Sequence, residues 1–114
     1  MTTIEPGSIV IVHCTAPREK LWGLLVRLDA VGAVIRGMEL TSVEDWIRQQ
    51  ARGEVAAIGP ATFLLPTHRL VRIDLDESAP LIDGYADRFR HACGRDVRTV
   101  LAGLQPISGD GLPA

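Results

Sequence analysis

The sequence predicts a mainly β domain with helices: a five-stranded antiparallel small barrel, with a short helix inserted after its third strand and helices at its C-terminal end. Three observations lead there. Short runs of aliphatic and β-branched residues recur between residues 9 and 75, broken by connections carrying Gly, Pro and Asp. One helical pattern interrupts them near residues 43–52, and after Leu75 the alternation gives way to helical spacing. An open five-stranded sheet leaves two unpaired edges, and closing the sheet removes them.

The elements follow in order. Ile9 to His13 is rich in β-branched residues and reads as the first strand, after Gly7. Ala16-Pro17-Arg18 is a loop, because proline withdraws a backbone donor. Leu21 to Asp29 is the second strand. Its Trp22, Leu24, Val26 and Leu28 share one face, and Leu21, Gly23, Leu25, Arg27 and Asp29 the other, so it is covered on both sides for part of its length. Asp29-Ala30-Val31-Gly32 is a tight connection to a returning strand from Ala33 to Leu40.

Thr41 with Glu44, or Ser42 with Asp45, supplies side-chain caps for a helix whose Val43, Trp46 and Ile47 share one side. Gly53 ends it. Val55 to Ile58 is a candidate short strand and Ala61 to Leu65 a better one. Pro66-Thr67-His68 turns the chain into Leu70 to Leu75, where Val71, Ile73 and Leu75 oppose Arg72 and Asp74. Ser78-Ala79-Pro80 suits a helix start, with Tyr85, Phe89, Ala92 and Cys93 as the apolar side and Gly94 as the stop. Asp96 caps a last short helix carrying Val97, Val100 and Leu101. Residues 1–103 thus form one domain, with the barrel at 7–77, C-terminal helices at about 80–102 and a flexible tail at 104–114.

Composition narrows the function. The chain has 114 residues, a length that buries about two thirds of the unfolded surface without a metal or disulfide staple. Its 12 basic and 14 acidic residues leave a net charge of −2, so no global attraction to phosphate exists and nucleic-acid contact requires a local patch. The two cysteines, Cys14 and Cys93, are far apart, the pattern of a reduced cytoplasmic protein. Leu21 to Leu28 is far short of the ~20 apolar residues of a spanning helix, so no membrane is implied.

Gly23-Leu24-Leu25, Leu28-Asp29 and Val34-Ile35, followed by the run from Phe63 to Ile73, resemble the Sm-like family of small barrels, the SH3-like group that includes bacterial Hfq. In that family a glycine is followed two residues later by an aliphatic and six later by an aspartate before a hairpin turn. The chain differs in carrying Ala33 where the family often has asparagine, in its inserted helix, and in placing helices after the barrel. The resemblance implies a non-enzymatic homo-oligomer joined through strand edges, with RNA as its candidate ligand. It places the RNA site at the hairpin and the last turn, hence at Asp29, Gly32, His68 and Arg69. The alternative is a protein-interaction or structural module that binds no nucleic acid.

The residue chemistry leaves choices open. His68 and Arg69 can stack on a base and contact phosphate, or can simply be a solvated turn. Asp29 can meet a ligand or cap its own loop. His13 with Cys14, and His91 with Cys93, point apart on their elements, so no metal or other cofactor is expected. Asp74 and Asp76 share a strand face as an acid/base pair would, or as a solvated strand end does, and no nucleophile elbow or phosphate loop accompanies them, so no catalytic residue is assigned. Arg88, Arg90, Arg95 and Arg98 form a basic stretch interleaved with Asp87 and Asp96.

Overall fold

The computed structural model describes residues 3–54 and 59–103. The expected strand from Val55 to Ile58 and the expected tail at 104–114 lie outside those residues. Five strands, β1 (Ile9–Cys14), β2 (Glu19–Leu28), β3 (Gly32–Glu39), β4 (Ala61–Pro66) and β5 (Leu70–Leu75), form one sheet in the order β4-β3-β2-β1-β5. Every ladder is antiparallel. Helix α1 (Val43–Arg52) follows β3, and α2 (Tyr85–Cys93) and α3 (Val97–Leu101) follow β5. The β+α class with five antiparallel strands stands as the sequence predicts. The closing ladder does not: among the described residues β4 and β5 are not paired, so backbone hydrogen bonds leave the sheet open.

The sheet curls all the same, because its two faces bury different sets of side chains. Val10, Val12 and Cys14 of β1 meet Leu21, Leu25, Ala33, Ile35 and Leu65 on the inner face, with Leu70, Ile73 and Leu75 of β5 packed against them. Side chains from all five strands therefore share one cluster. On the outer face Ile9, Trp22 and Met38 meet Val43, Trp46, Ile47, Phe89, Val97 and Leu101 from the three helices. Trp46 stacks on Phe89 with ring centroids 5.2 Å apart, and Trp22 lies 6.0 Å from Trp46. Truncating any of these rings to alanine costs about 3–5 kcal/mol. The two-sided burial of β2 is thereby explained. Among the described residues no helix is long and apolar enough to cross a membrane.

Close backbone approach makes the bend possible. Gly23 faces Gly37 across β2 and β3. A Cβ on Gly37 would sit 1.9 Å from the Trp22 carbonyl oxygen, and one on Gly23 would sit 2.4 Å from that of Arg36. No side chain fits at either position.

Two ladder irregularities overturn face assignments made from strict alternation. The register of β2 on β3 shifts between Leu25 and Arg27, so Val26 and Leu28 leave the Trp22 face and become exposed. That of β1 on β5 shifts so that His13 faces Arg72 and Cys14 faces Leu70. Leu70 turns inward as a result, and Val71, expected beside Ile73 and Leu75, is 65% exposed. An inserted residue reverses the pleat, which a period-two pattern cannot register.

Helix starts also differ. Neither Thr41 nor Ser42 caps α1 with its side chain; a 3-10 turn, Leu40–Ser42, runs directly into the helix. Helix α2 begins at Tyr85 rather than near Pro80, because residues 79–82 form a tight turn with a bridge between Ala79 and Ile82. Ala92, expected on its apolar side, is exposed. The stops at Gly53 and Gly94 are as expected, both left-handed, and the Asp96 carboxylate accepts the Arg98 N–H at 2.9 Å to cap α3.

Candidate functional site

The four residues singled out at the hairpin and the last turn are brought to one end of the sheet. Asp29 ends the β2–β3 hairpin, and its Oδ1 accepts the N–H groups of Val31 at 2.9 Å and Gly32 at 3.3 Å. Arg27 lies 3.2 Å from its other oxygen. Asp29 therefore caps its own loop, as short acidic side chains in turns do. The chain from β4 to β5 passes through a 3-10 turn, Thr67–Arg69. Thr67 docks this turn on the hairpin: its N–H donates to Val31 O at 2.9 Å and its hydroxyl to Ala30 O at 2.7 Å.

Gly32 opposes Pro66, and a Cβ there would lie 2.1 Å from Leu65 O, so its role is to let β3 and β4 meet. Arg69 is only 18% exposed in its side chain. Its guanidinium donates to Thr15 O at 3.1 Å, Pro17 O at 2.9 Å and Glu19 Oε2 at 2.6 Å. It clamps the β1–β2 connection to the turn. His68 is exposed and makes no hydrogen bond among the described residues, while Arg18 and Lys20 on the neighbouring connection make no ion pair there. Nothing in the local sequence marks Arg69 as a clamp, since its partners lie about fifty positions away along the chain.

No protein-family model matches the chain, and no curated protein or solved structure is detectably similar to it.

The other chemical candidates scatter. His13 Nε2 lies 2.9 Å from Asp74 Oδ2, and Arg72 donates to the same carboxylate at 2.9 Å. The Arg72 hydrogen bond, with that of His13 beside it, holds the Asp74 carboxyl below its ordinary 3.8 against a smaller opposing effect of desolvation. Asp76 turns elsewhere. It accepts the Tyr85 N–H at 2.9 Å, the Ala86 N–H at 2.8 Å and the buried indole N–H of Trp22 at 3.1 Å. The two aspartates serve different elements and form no acid/base pair. Cys14 is buried on the inner face, where desolvation pushes its thiol above 9.0, while His13 points outward. His91 Nδ1 lies 3.2 Å from Asp83. Among the described residues no three His, Cys, Asp or Glu side chains converge on a metal position.

The basic stretch of the last helices is engaged internally. Arg88 pairs with Glu44 at 2.6 Å and lies over the Tyr85 ring. Arg90 and Arg98 both flank Asp96, and Arg98 also donates to Gly7 O at 3.1 Å. A cleft of 640 Å³ beside them carries Glu5, Glu77 and Asp87.

The edges of the sheet have a different character. Ala61-Thr62-Phe63-Leu64-Leu65-Pro66 carries no charge, its outer side is unpaired among the described residues, and Leu64 is 49% exposed. At the other edge β5 exposes Val71. Natural edge strands are commonly protected by charge, and β4 has none.

Proposed function

We propose that this chain is a non-enzymatic small-barrel module of Sm-like type that assembles with copies of itself through its two free strand edges. One observation carries the reading: an uncharged, apolar β4 edge and an unpaired β5 edge at opposite ends of a curled five-stranded sheet. Pairing β4 of one copy with β5 of the next satisfies both rows of backbone groups, and the contact is heterologous, so it closes a ring where the rotation permits. The 3-10 turn between β4 and β5 and the inner cluster drawn from all five strands support the small-barrel part of the reading.

Size-exclusion chromatography with light scattering tests it. The wild-type chain is expected to run as an oligomer at micromolar concentration, and Leu64→Lys, which places a charge on the β4 edge, to shift mass toward the monomer. A wild-type chain that stays monomeric throughout sinks the proposal.

RNA at the hairpin–turn end is the ligand this family reading carries, with exposed His68 as its base-stacking group. The pairing of Arg27 with Asp29 and of Arg69 with Glu19 favours a second reading, a protein-interaction module without nucleic acid. Titration of short U-rich and A-rich strands across a salt series separates them: affinity that falls with salt and with His68→Ala supports RNA, and no affinity at low salt supports the second reading.

A further inference from the structure

Edge pairing leaves two apolar side chains without a role. Leu81 is 96% exposed and Ile82 71% exposed. They occupy the turn closed by Ala79 and Ile82, which donate to each other's carbonyls at 2.8 and 3.2 Å. Ser78 Oγ accepts the Gly84 N–H at 2.9 Å on one flank, and Asp76 holds the start of α2 on the other. The turn therefore presents Leu81 and Ile82 on a fixed frame. It lies on the helix-bearing side of the sheet, because the segment before it is tied to Trp22 and the segment after it is α2.

On that same side an apolar groove of 560 Å³ runs between the sheet and the end of α3, lined by Leu24, Val26, Arg36, Thr62 and Leu101. Its one charge is satisfied: Arg36 Nε donates to Leu101 O at 3.1 Å. We propose that this groove receives the Leu81–Ile82 turn of a second copy, locking the edge-to-edge assembly. The inference rests on the edge-pairing reading. Continuing the sheet in the antiparallel sense of all its ladders sets the neighbour's Leu75 beside Ala61, at the start of β4. The neighbour's β5 then lies one strand spacing, about 4.8 Å, from the strand that carries Thr62 at the groove. A continuous sheet keeps its helix-bearing faces on one side, so the neighbour's turn emerges toward the groove. Neither the turn from Ala79 to Ile82 nor the rest of the groove lining carries a charge to be desolvated.

The test uses the full chain. Leu81→Ser with Ile82→Ser changes only exposed side chains, and light scattering over a dilution series is expected to show assembly weakened about tenfold or more. An assembling wild type with an unchanged double variant overturns the lock and leaves edge pairing standing, the groove then belonging to another occupant. A monomeric wild type overturns both. Geometry is read independently by mixing Leu81→Cys chains with Val26→Cys chains under mild oxidation. Peptide mapping should find a disulfide between residues 81 and 26 of different copies, and its absence in mixtures that co-assemble overturns the proposal.

Discussion

Removing the Asp76 carboxylate should loosen the helical layer from the sheet. Asp76 supplies three acceptor contacts: to Tyr85 N–H and Ala86 N–H at the first turn of α2, and to Trp22 Nε1. Gly84, the residue at the start of that helix, has no side chain with which to cap it, so the cap comes from Asp76, nine residues before Tyr85. Losing such a cap costs about 1 kcal/mol. Trp22 is fully buried, and stranding its indole donor costs about 1–3 kcal/mol more. Asp76→Ala should therefore lose about 2–4 kcal/mol, a fall in Tm of about 8–16 °C for a domain of this size. The assay is urea unfolding followed by tryptophan fluorescence at fixed protein concentration, with linear extrapolation. In a Trp22→Phe background the same substitution should cost about 1–3 kcal/mol less, because the stranded donor no longer exists. A loss below about 1 kcal/mol in the wild-type background, or an equal loss in both backgrounds, would refute the reasoning.

Other substitutions probe the remaining structure. Gly37→Ala should cost more than about 3 kcal/mol, since its methyl meets the backbone of Trp22 and Gly23 rather than a movable side chain; urea unfolding reads it, and a loss below about 1 kcal/mol contradicts the close approach. Asp74 has its carboxyl lowered on folding, chiefly by Arg72, so it contributes stability above its unfolded pKa that disappears as pH falls through the lower folded value. Asp74→Asn should therefore be less stable than wild type at neutral pH and converge with it from about pH 4 downward, and parallel curves across that range contradict the pairing. Native-state alkylation with mass detection should label half-buried Cys93 before Cys14, whose thiol is buried and shifted above 9.0. Faster labelling of Cys14 would place it outside the core.

Much of the fold was legible because its signals are local. The alternation of β1 and β3, the apolar side of α1 at Val43, Trp46 and Ile47, the stops at Gly53 and Gly94, and the Asp29 and Asp96 caps each depend on residues a few positions apart. Burial of Trp22 and Trp46 in a chain poor in aromatics was equally plain. Tertiary structure decided the rest, because the partners lie far apart along the chain and only folding brings them together. Asp76 reads as a strand-end carboxylate until Trp22 and the start of α2 arrive around it, and Arg69 reads as a turn cation until the β1–β2 connection closes on it. Val71 reads as core until a one-residue register shift on β1 turns it outward. A sequence states which side chains seek burial or charge; which ones meet is settled by register and curvature, and these depend on every strand at once.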